Sequence, residues 1–568
     1  MTQKRWNFLK NPQEAQKLSE ALHIPPVVAS ILANRSITDP DTAKQFLTKG
    51  KSGIHHPFLL KDAQTAAQRI KTAIDNKERV VIYGDYDVDG ITSTAIVYKF
   101  LKSLGMDVSY YIPNRVDEGY GINILALQKL KKDGNTLMIT VDCGITAVGE
   151  VEFAKTIGLD IIITDHHTCK EDTPRALAVI NPKQHECTYP FKDLAGVGVA
   201  FKLILAVALE LGLNASVYFD EFIDIVAIGT IADVVSLTGE NRLFVSQGLN
   251  KLQKTDNIGI RALMSIAGLT EKPLNAGNIS FAIAPRINAA GRVGSAMLAV
   301  ELLVTKSQEK ANEIAAQLEE ENHQRQQTEQ EILKEALEMI DAMEKPEEKK
   351  VFVLSKEDWH HGVIGIVASR ITDKFYKPTI LISLTDKLGK GSGRSVKGFN
   401  IFDALTHCSE HLLKFGGHEL AAGLGLSADS IADFEKEINI YANQTMTETT
   451  LTPYINIDAV LHLSDLTLPN ADMLSILEPF GMGNAQPIFA VMDTVLHSVR
   501  QIGNGKHCKL TVTKAGRQAD FVGFNMAEVA GSFKIGTNLD LAFTIDTNIY
   551  RGNKQLQLIL KDVRQAVK

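Results

Sequence analysis

From Arg79 to Pro182 short, β-branched apolar runs alternate with amphipathic stretches. Val80-Val81-Ile82-Tyr83 precedes a helical pattern over Ile91 to Leu104, and Val108 to Ile112 precedes one over Ile122 to Lys131. Leu137 to Val141, a helix near Val148 to Ile157, Ile161-Ile162-Ile163-Thr164 and Ala178-Val179-Ile180 continue the series. Strands that are apolar along their whole length have both faces buried, and strands that alternate with helices pair in parallel. The pattern therefore predicts an α/β domain built on a parallel sheet covered on both sides. Ala195 to Gly294 reads as mostly helical and completes this domain, placed at 61–305. The first 60 residues read as a separate helical segment, broken at Pro25-Pro26 and Asp39-Pro40.

Between Lys306 and Met343 the chain is charged and Gln/Glu-rich, with Ile314, Leu318, Ile332, Ala336 and Ile340 spaced for one face of a long helix. A polar helix between two folded units predicts a connector over 306–345. A second, smaller α/β domain follows over 346–445: a strand Val351 to Leu354, a helix near Val363 to Thr372 and a strand Thr379 to Ser383. The remainder, 450–568, is strand-rich, with Asn456 to Leu463, Phe489 to Val499, Lys509 to Thr513, Ala519 to Phe524 and a hairpin around Tyr550 to Lys554. About five strands in such a length predict an OB-like β-barrel.

Composition narrows the class without changing this outline. A chain of 568 residues, 45% hydrophobic with a net charge of −7, holds about three or four globular domains. No apolar run approaches the roughly 18–20 residues that span a bilayer, and Met1 to Trp6 leads into no apolar signal core, so neither membrane insertion nor secretion is expected. Five cysteines without a Cys-x-x-Cys pair fit a reducing cytoplasm. The charge is unevenly placed: Arg500 to Lys568 carries 11 Lys/Arg against 5 Asp/Glu in a chain that is acidic overall. That local excess suits a polyanionic partner.

The chemistry concentrates at Tyr83-Gly84-Asp85-Tyr86-Asp87-Val88-Asp89-Gly90, directly after the first buried strand. Three carboxylates at alternate positions repel one another unless a cation neutralises them. A calcium loop of the EF-hand type needs a preceding helix and a Glu at its twelfth position, where this chain has Ile96. Asp142 follows the strand Leu137 to Val141, and Asp165-His166-His167 follows Ile161 to Thr164. Parallel strands bring all of these to one carboxyl edge, where open α/β sheets bind ligands. Asp233 lies in the apolar run Ile228 to Val235, and a buried charge pairs or binds metal. Carboxylates with one or two imidazoles suit Mg²⁺ or Mn²⁺. A zinc site from His166, His167, Cys169, His185 and Cys187 is the rival, although its spacing matches no usual pattern. Cys143 reads as a buried neighbour of Asp142.

Asp-x-Asp-x-Asp-Gly, the strand-end Asp142 and Asp165-His166-His167 resemble the signature of the DHH phosphoesterases. Pro285-Arg286-Ile287-Asn288-Ala289-Ala290-Gly291-Arg292 resembles the Arg/Asn motif of that superfamily's single-strand-specific exonuclease branch, and Trp359-His360-His361-Gly362 the start of its second domain. Gly393-Arg394-Ser395 and Gly416-Gly417-His418-Glu419 resemble the substrate-binding motifs of the associated DHHA1 domain. With the barrel, the resemblance spans nearly the whole chain. It implies two divalent cations, Mn²⁺ or Mg²⁺: one held by Asp85, Asp87 and Asp142, the other by Asp89, Asp142, His166 and Asp233. Many superfamily members carry a His where this chain has Tyr83, so Asp85 substitutes.

Two such ions can activate a water and clamp a phosphate for in-line attack. The resemblance then assigns His167 to the scissile phosphate, with orientation of His166 as its other reading, and Asp165 as an anchor for His166. Arg286 and Arg292 neutralise charge on phosphorus and Asn288 donates a further hydrogen bond, unless the arginines are ordinary surface pairs. His360, Arg394, Ser395, Gly417 and His418 contact substrate; His360 could equally cap a helix, and the Gly-rich segments could be plain tight turns. The implied activity is 5′-to-3′ exonucleolytic release of mononucleotides from single-stranded DNA in repair and recombination, by a cytoplasmic monomer working with a helicase and a single-strand-binding protein. Hydrolysis of cyclic dinucleotides or short RNA is the alternative, and a non-catalytic scaffold the third reading. The barrel is expected to bind the strand through Arg500, Lys506, Lys509, Lys514, Arg517, Arg551 and Lys554, with Phe521, Phe524 or Tyr550 stacking on bases.

Overall fold

The computed structural model describes residues 4–114, 118–119, 121–550 and 553–566. The chain divides into two compact units, one formed by Met1–Trp6, Arg292–Gly294 and Gln317–Ile455, the other by Asn7–Gly291, Ser295–Ala316 and Asn456–Lys568.

The larger unit contains the expected parallel sheet. Its strands run in the order Asp107–Tyr111, Arg79–Gly84, Leu137–Val141, Asp160–Thr164, Ala178–Ile180, every neighbouring pair parallel. The central strands are buried because helices cover both faces. One face carries Val81, Tyr83, Met138, Ile161 and Ile163 against Leu127, Leu130, Val151 and Ala154. The helices Val88–Ser103, Gly196–Glu210 and Ala215–Ala232 are apolar around most of their circumference and bury nearly all of it. The order reverses at Arg79–Gly84: the chain leaves it toward Asp107–Tyr111 and returns on its other side with Leu137–Val141. That is the switch point at which an open α/β sheet leaves a crevice.

The C-terminal strands Phe489–Ile502, His507–Lys514, Arg517–Gly523, Asn553–Gln565 and Asn538–Tyr550 pair in that order, and Asn538–Tyr550 pairs back onto Phe489–Ile502, closing a five-stranded barrel. The expected strand Asn456 to Leu463 is divided into Tyr454–Ile457 and Ala459–Val460. The first 60 residues form the helices Pro12–Leu22, Pro26–Asn34 and Pro40–Leu47, so the prolines read as breaks stand at helix starts, where a missing N–H costs nothing. These helices are not an isolated segment. Leu18, Val28, Ile31, Leu32 and Phe46 share one core with Phe489, Leu510, Phe521 and Phe543 of the barrel.

The long helix runs from Gln308 to Asp341. In the smaller unit its Ile332, Ala336 and Ile340 pack against Phe352, Leu354, Trp359 and Ile364, so this part of the helix completes a core. The sheet of that unit runs Lys414–His418, Ala421–Ser427, Leu388–Arg394, Thr379–Thr385, Phe352–Glu357. The Gly-rich segments are strands of this sheet rather than tight turns. A Cβ on Gly391 would stand 2.8 Å from Leu424 Cγ, and Gly417, at φ +148°, would bring one within 2.4 Å of Ala421 O. Glycine is used there to let strands approach.

Candidate metal centre

The register of the parallel sheet assembles the site. Gly84 is level with Val141, Val141 with Thr164, and Thr164 with Ile180. The next residues on these four strands are Asp85, Asp142, Asp165 and Asn181, so three carboxylates and an amide emerge side by side at the switch point.

Local folding then aims each group. Asp87 caps the helix Val88–Ser103, its Oδ1 accepting the N–H groups of Asp89 and Gly90 at 2.9 and 3.1 Å. Asp89 accepts the Gly196 N–H on Oδ2 and the Val197 N–H on Oδ1, both at 2.7 Å, at the N-terminus of the helix Gly196–Glu210. Asp142 adopts a left-handed backbone, φ +60°, and its carboxylate stands close against Gly196. Gly196 permits this close approach, since a Cβ there would lie 2.5 Å from Asp142 Oδ1. Asp233 caps the C-terminus of Ala215–Ala232 and brings its carboxylate in from a different element.

All six expected metal ligands converge. Asp85, Asp87 and Asp142 offer ligand atoms within 4.8 Å of one another, as do Asp89, His166 and Asp233. His166 Nε2 lies 3.2 Å from Asp142 Oδ1, 3.6 Å from Asp233 Oδ2 and 3.9 Å from Asp89 Oδ2. Asp142 Oδ1, His166 Nε2 and Asp233 Oδ2 are buried with no hydrogen-bond partner among the described residues. Burial, followed by Asp87, pushes Asp89 up to about 7. Asp142 and Asp233 are held well above the ordinary carboxylate range, first by burial and then by the neighbouring aspartates. Burial, followed by His167, drives His166 down to about 3, so its ring is neutral and ready to ligate. Clustered hard oxygen donors with one neutral imidazole fit divalent metal.

Asp165 does other work. Its Oδ2 accepts the Ile145 N–H at 2.9 Å, and its Oδ1 accepts the N–H groups of His166 and His167 and lies 2.7 Å from His167 Nδ1. The imidazole it anchors is therefore that of His167, not of His166. Burial alone would raise the Asp165 carboxyl, but the His167 ring and these N–H groups hold it below its ordinary value. His167 is raised, since Asp165 outweighs its burial. Asn181, which the sequence reading missed, donates through Nδ2 to His167 O at 2.9 Å. Its signal was its position one residue beyond the fifth strand. Tyr83 is buried and donates to Gly121 O, away from any ligand role. Cys143 is buried and its thiol pushed far up by burial, as suits a packed neighbour. Among the described residues no cysteine joins a metal-binding group, so the zinc alternative finds no support.

The helix Ala284–Val293 carries Arg286 and Asn288, both half-buried, and lies against the acidic loop: a Cβ on Gly291 would meet Tyr86 O at 2.2 Å. Arg286 Nη1 donates to Ala282 O at 2.6 Å. In the smaller unit Arg292 Nη1 donates to Gly362 O at 2.8 Å. His360 caps the helix His361–Phe375, its Nδ1 accepting the Gly362 N–H at 3.1 Å. Ala421 pairs with both Arg394 and His418, which sets those two in one row across the sheet beside Gly417. Ser395 Oγ donates to Phe399 O at 2.7 Å.

The barrel sorts the expected strand-binding residues. Lys509 pairs with Asp520, Lys554 with Asp472, and Lys514 donates to Met492 O. Arg500, Lys506 and Arg517 are exposed and form no ion pair among the described residues. Phe521 is core, whereas Phe524 is 47% exposed, edge-on to His507 at 5.3 Å. Arg551 and the Tyr550 side chain lie outside the described residues.

Known proteins carry the same parts in the same order. The DHH family N-terminal domain matches residues 79–230, the DHHA1 domain 348–444 and the RecJ OB domain 457–562. The single-stranded-DNA-specific exonuclease RecJ of Bacillus subtilis is 41% identical over 562 residues, covering 98% of this chain and 70% of that protein. RecJ of Salmonella typhimurium is 33% identical over 573 residues, covering 97% and 98%. The crystal structure of RecJ in complex with Mn²⁺ from Thermus thermophilus superposes with a TM-score of 0.84 at 29% identity, covering 99% of this chain and 80% of that one. With three family domains in register and this likeness along nearly its whole length, the chain belongs to the RecJ family of DHH phosphoesterases.

Proposed function

We propose that this chain is a metal-dependent 5′-to-3′ exonuclease that releases 5′-mononucleotides from single-stranded DNA. The observation that carries this reading is the convergence of Asp142 Oδ1, His166 Nε2 and Asp233 Oδ2, buried without hydrogen-bond partners among the described residues, on the edge where Asp85, Asp87 and Asp89 also meet. Asp85, Asp87 and Asp142 would hold one divalent cation and Asp89, Asp142, His166 and Asp233 the other, with Asp142 shared. When bound, such a pair supplies an activated water and the charge that clamps the phosphate during in-line displacement.

The remaining roles belong to the chain's own groups. The 2.7 Å contact with Asp165 engages His167 Nδ1 and favours the protonated ring, which assigns Nε2 to donate toward a phosphate oxygen or the leaving 3′-oxygen. Arg286 and Asn288 stand on the helix laid against the acidic loop and are assigned to charge developing on phosphorus, with Arg292 in the same role. Arg394, Ser395, Gly417, His418 and His360 are assigned to the strand's backbone phosphates, and Arg500, Lys506, Arg517 and Phe524 to the strand beyond.

Work on single strands in repair and recombination calls for an unwinding helicase and a single-strand-binding protein as partners, in the cytoplasm, with the chain acting as a monomer. No helix among the described residues is long and apolar enough to cross a membrane. The test is a single strand labelled at either end, incubated with Mn²⁺ and the full chain. Labelled mononucleotide should appear at once from the 5′ label and last from the 3′ label. Internal cuts, or turnover of cyclic dinucleotides in preference to strands, would overturn the reading.

A further inference from the structure

The loop that follows Asp233 is held from two sides: Asn241 of its own domain donates through Nδ2 to Ser236 O at 3.1 Å, and the barrel grips the same loop. The helix Ala215–Ala232 ends with the Asp233 N–H on Gly229 O at 3.0 Å, and the next residue, Val234, has φ +61°. Helices commonly leave through this left-handed conformation, but on glycine; a β-branched residue there crowds its own backbone. Val234 is 56% exposed, so burial of its own side chain does not offset the strain. Strained backbone persists where surrounding structure over-determines it.

Most of the contacts to Ser236 and Leu237 come from the barrel turn Gly481–Asn484. Leu237 N–H donates to Met482 O at 2.7 Å. The Leu237 side chain is buried against Gly481, where a Cβ would stand 2.6 Å from Leu237 Cδ1. Gly483, at φ +70°, meets Ser236 as closely, with 2.3 Å from a Cβ to Oγ. The turn is itself fixed. Asn484 Nδ2 donates to Leu477 O and Pro479 O at 2.8 and 2.7 Å, and the guanidinium of Arg242, from the helix that follows the loop, donates to Leu477 O, Ile476 O and Pro479 O. Arg35 bonds Asn484 and donates to Ala485 O.

We infer that the barrel turn Gly481–Asn484 is a positioning element for the second cation: by gripping Ser236 and Leu237 it fixes the left-handed exit at Val234 and so holds the Asp233 carboxylate among the ligands. The strand-binding barrel is thereby mechanically continuous with the metal centre. This inference rests on the assignment of Asp233 as a ligand.

The test is Mn²⁺ binding to the full chain by calorimetry, without DNA. Gly481→Val pushes Leu237 aside and should weaken one of two Mn²⁺ sites about tenfold, the scale of lost supporting contacts at metal sites. Adding Leu237→Ala makes room for the valine and should restore most of that affinity, which general damage to the barrel would not allow. Should Gly481→Val not fold, Gly481→Ala carries the same comparison. Wild-type Mn²⁺ affinity in the folded Gly481 variant, or a loss that Leu237→Ala does not repair, overturns the inference while leaving the ligand assignment standing. Asp233→Asn in parallel should weaken the same site; two intact Mn²⁺ sites in that variant would overturn the assignment and the inference together.

Discussion

Asp165 Oδ1 lies 2.7 Å from His167 Nδ1 and accepts the backbone N–H groups of both His166 and His167. One buried carboxylate thus sets the course of the chain at the metal edge and the orientation of a half-exposed imidazole beside it. His167→Ala should lower kcat by about 10²–10⁴-fold, the range of a lost general acid or base. Mn²⁺ binding should be unchanged. Steady-state hydrolysis beside Mn²⁺ titration checks this; joint loss of metal and activity would return His167 to a supporting role for His166.

Metal-free chain should lose stability with rising pH. Asp89, pushed up to about 7, and Asp142 and Asp233, held well above the ordinary carboxylate range, keep protons in the fold that they release when unfolded. The folded state therefore binds more protons above the ordinary carboxylate range, and stability falls as pH climbs through about 7. A divalent cation displaces those protons, so the rise in Tm on adding Mn²⁺ should be larger at pH 8 than at pH 6. Thermal melts in chelator and in Mn²⁺ at the two pH values check the sign.

In the barrel, Phe524→Ala should weaken binding of long single strands by about 1–3 kcal/mol, the worth of one stacked base, and leave Tm unchanged. Phe521→Ala should instead destabilise by about 3–5 kcal/mol, since Phe521 is fully buried beside Phe543. Arg500→Ala, Lys506→Ala and Arg517→Ala together should flatten the salt dependence of binding. Fluorescence anisotropy across a salt series separates the effects. Point substitutions are the right instrument, because deleting the barrel would strip the apolar faces of Leu18, Val28, Ile31 and Phe46.

Arg242 is 1% exposed, lies over the Phe46 ring at 4.0 Å, and donates to the carbonyls of Phe46, Ile476, Leu477 and Pro479. Arg242→Met fills similar space and orphans these acceptors. It should cost about 2–4 kcal/mol of stability, read by urea unfolding.

What could be read in advance follows the range of the interactions. Asp85, Asp87 and Asp89 announce themselves because three carboxylates sit within five residues. Asp142, Asp165 and His166 could be placed with them because buried β-branched runs imply parallel strands, and parallel strands end at one edge. From the residues alone Asp233 was legible as a charge in an apolar run, and its place among the ligands came from the family resemblance. The backbone N–H groups of Gly196 and Val197 on Asp89, and the grip of Met482 and Gly481 on Leu237, were not legible. They join residues more than a hundred positions apart through groups that every residue type carries. The sharing of one core between Leu18 or Phe46 and the barrel was hidden similarly, since an amphipathic helix shows that it has a partner but not which one. His360 and the glycines near Gly417 were open between two readings because a cap and a close strand approach depend on local backbone geometry.

Asp142 would serve two cations at once, and the proposed function depends on that shared role. Asp142→Asn is the sharpest probe, because asparagine keeps the shape and tolerates φ +60°, where alanine adds backbone strain. Calorimetric titration of the full chain with Mn²⁺, paired with hydrolysis of a 5′-labelled single strand, should give two bound ions and rapid mononucleotide release for the wild-type chain. For Asp142→Asn it should give loss of affinity at both sites and no hydrolysis at any Mn²⁺ or Mg²⁺ concentration, whereas Asp85→Ala should be milder and partly rescued by high Mn²⁺. Two undisturbed Mn²⁺ sites, or near-normal turnover, in Asp142→Asn would contradict it.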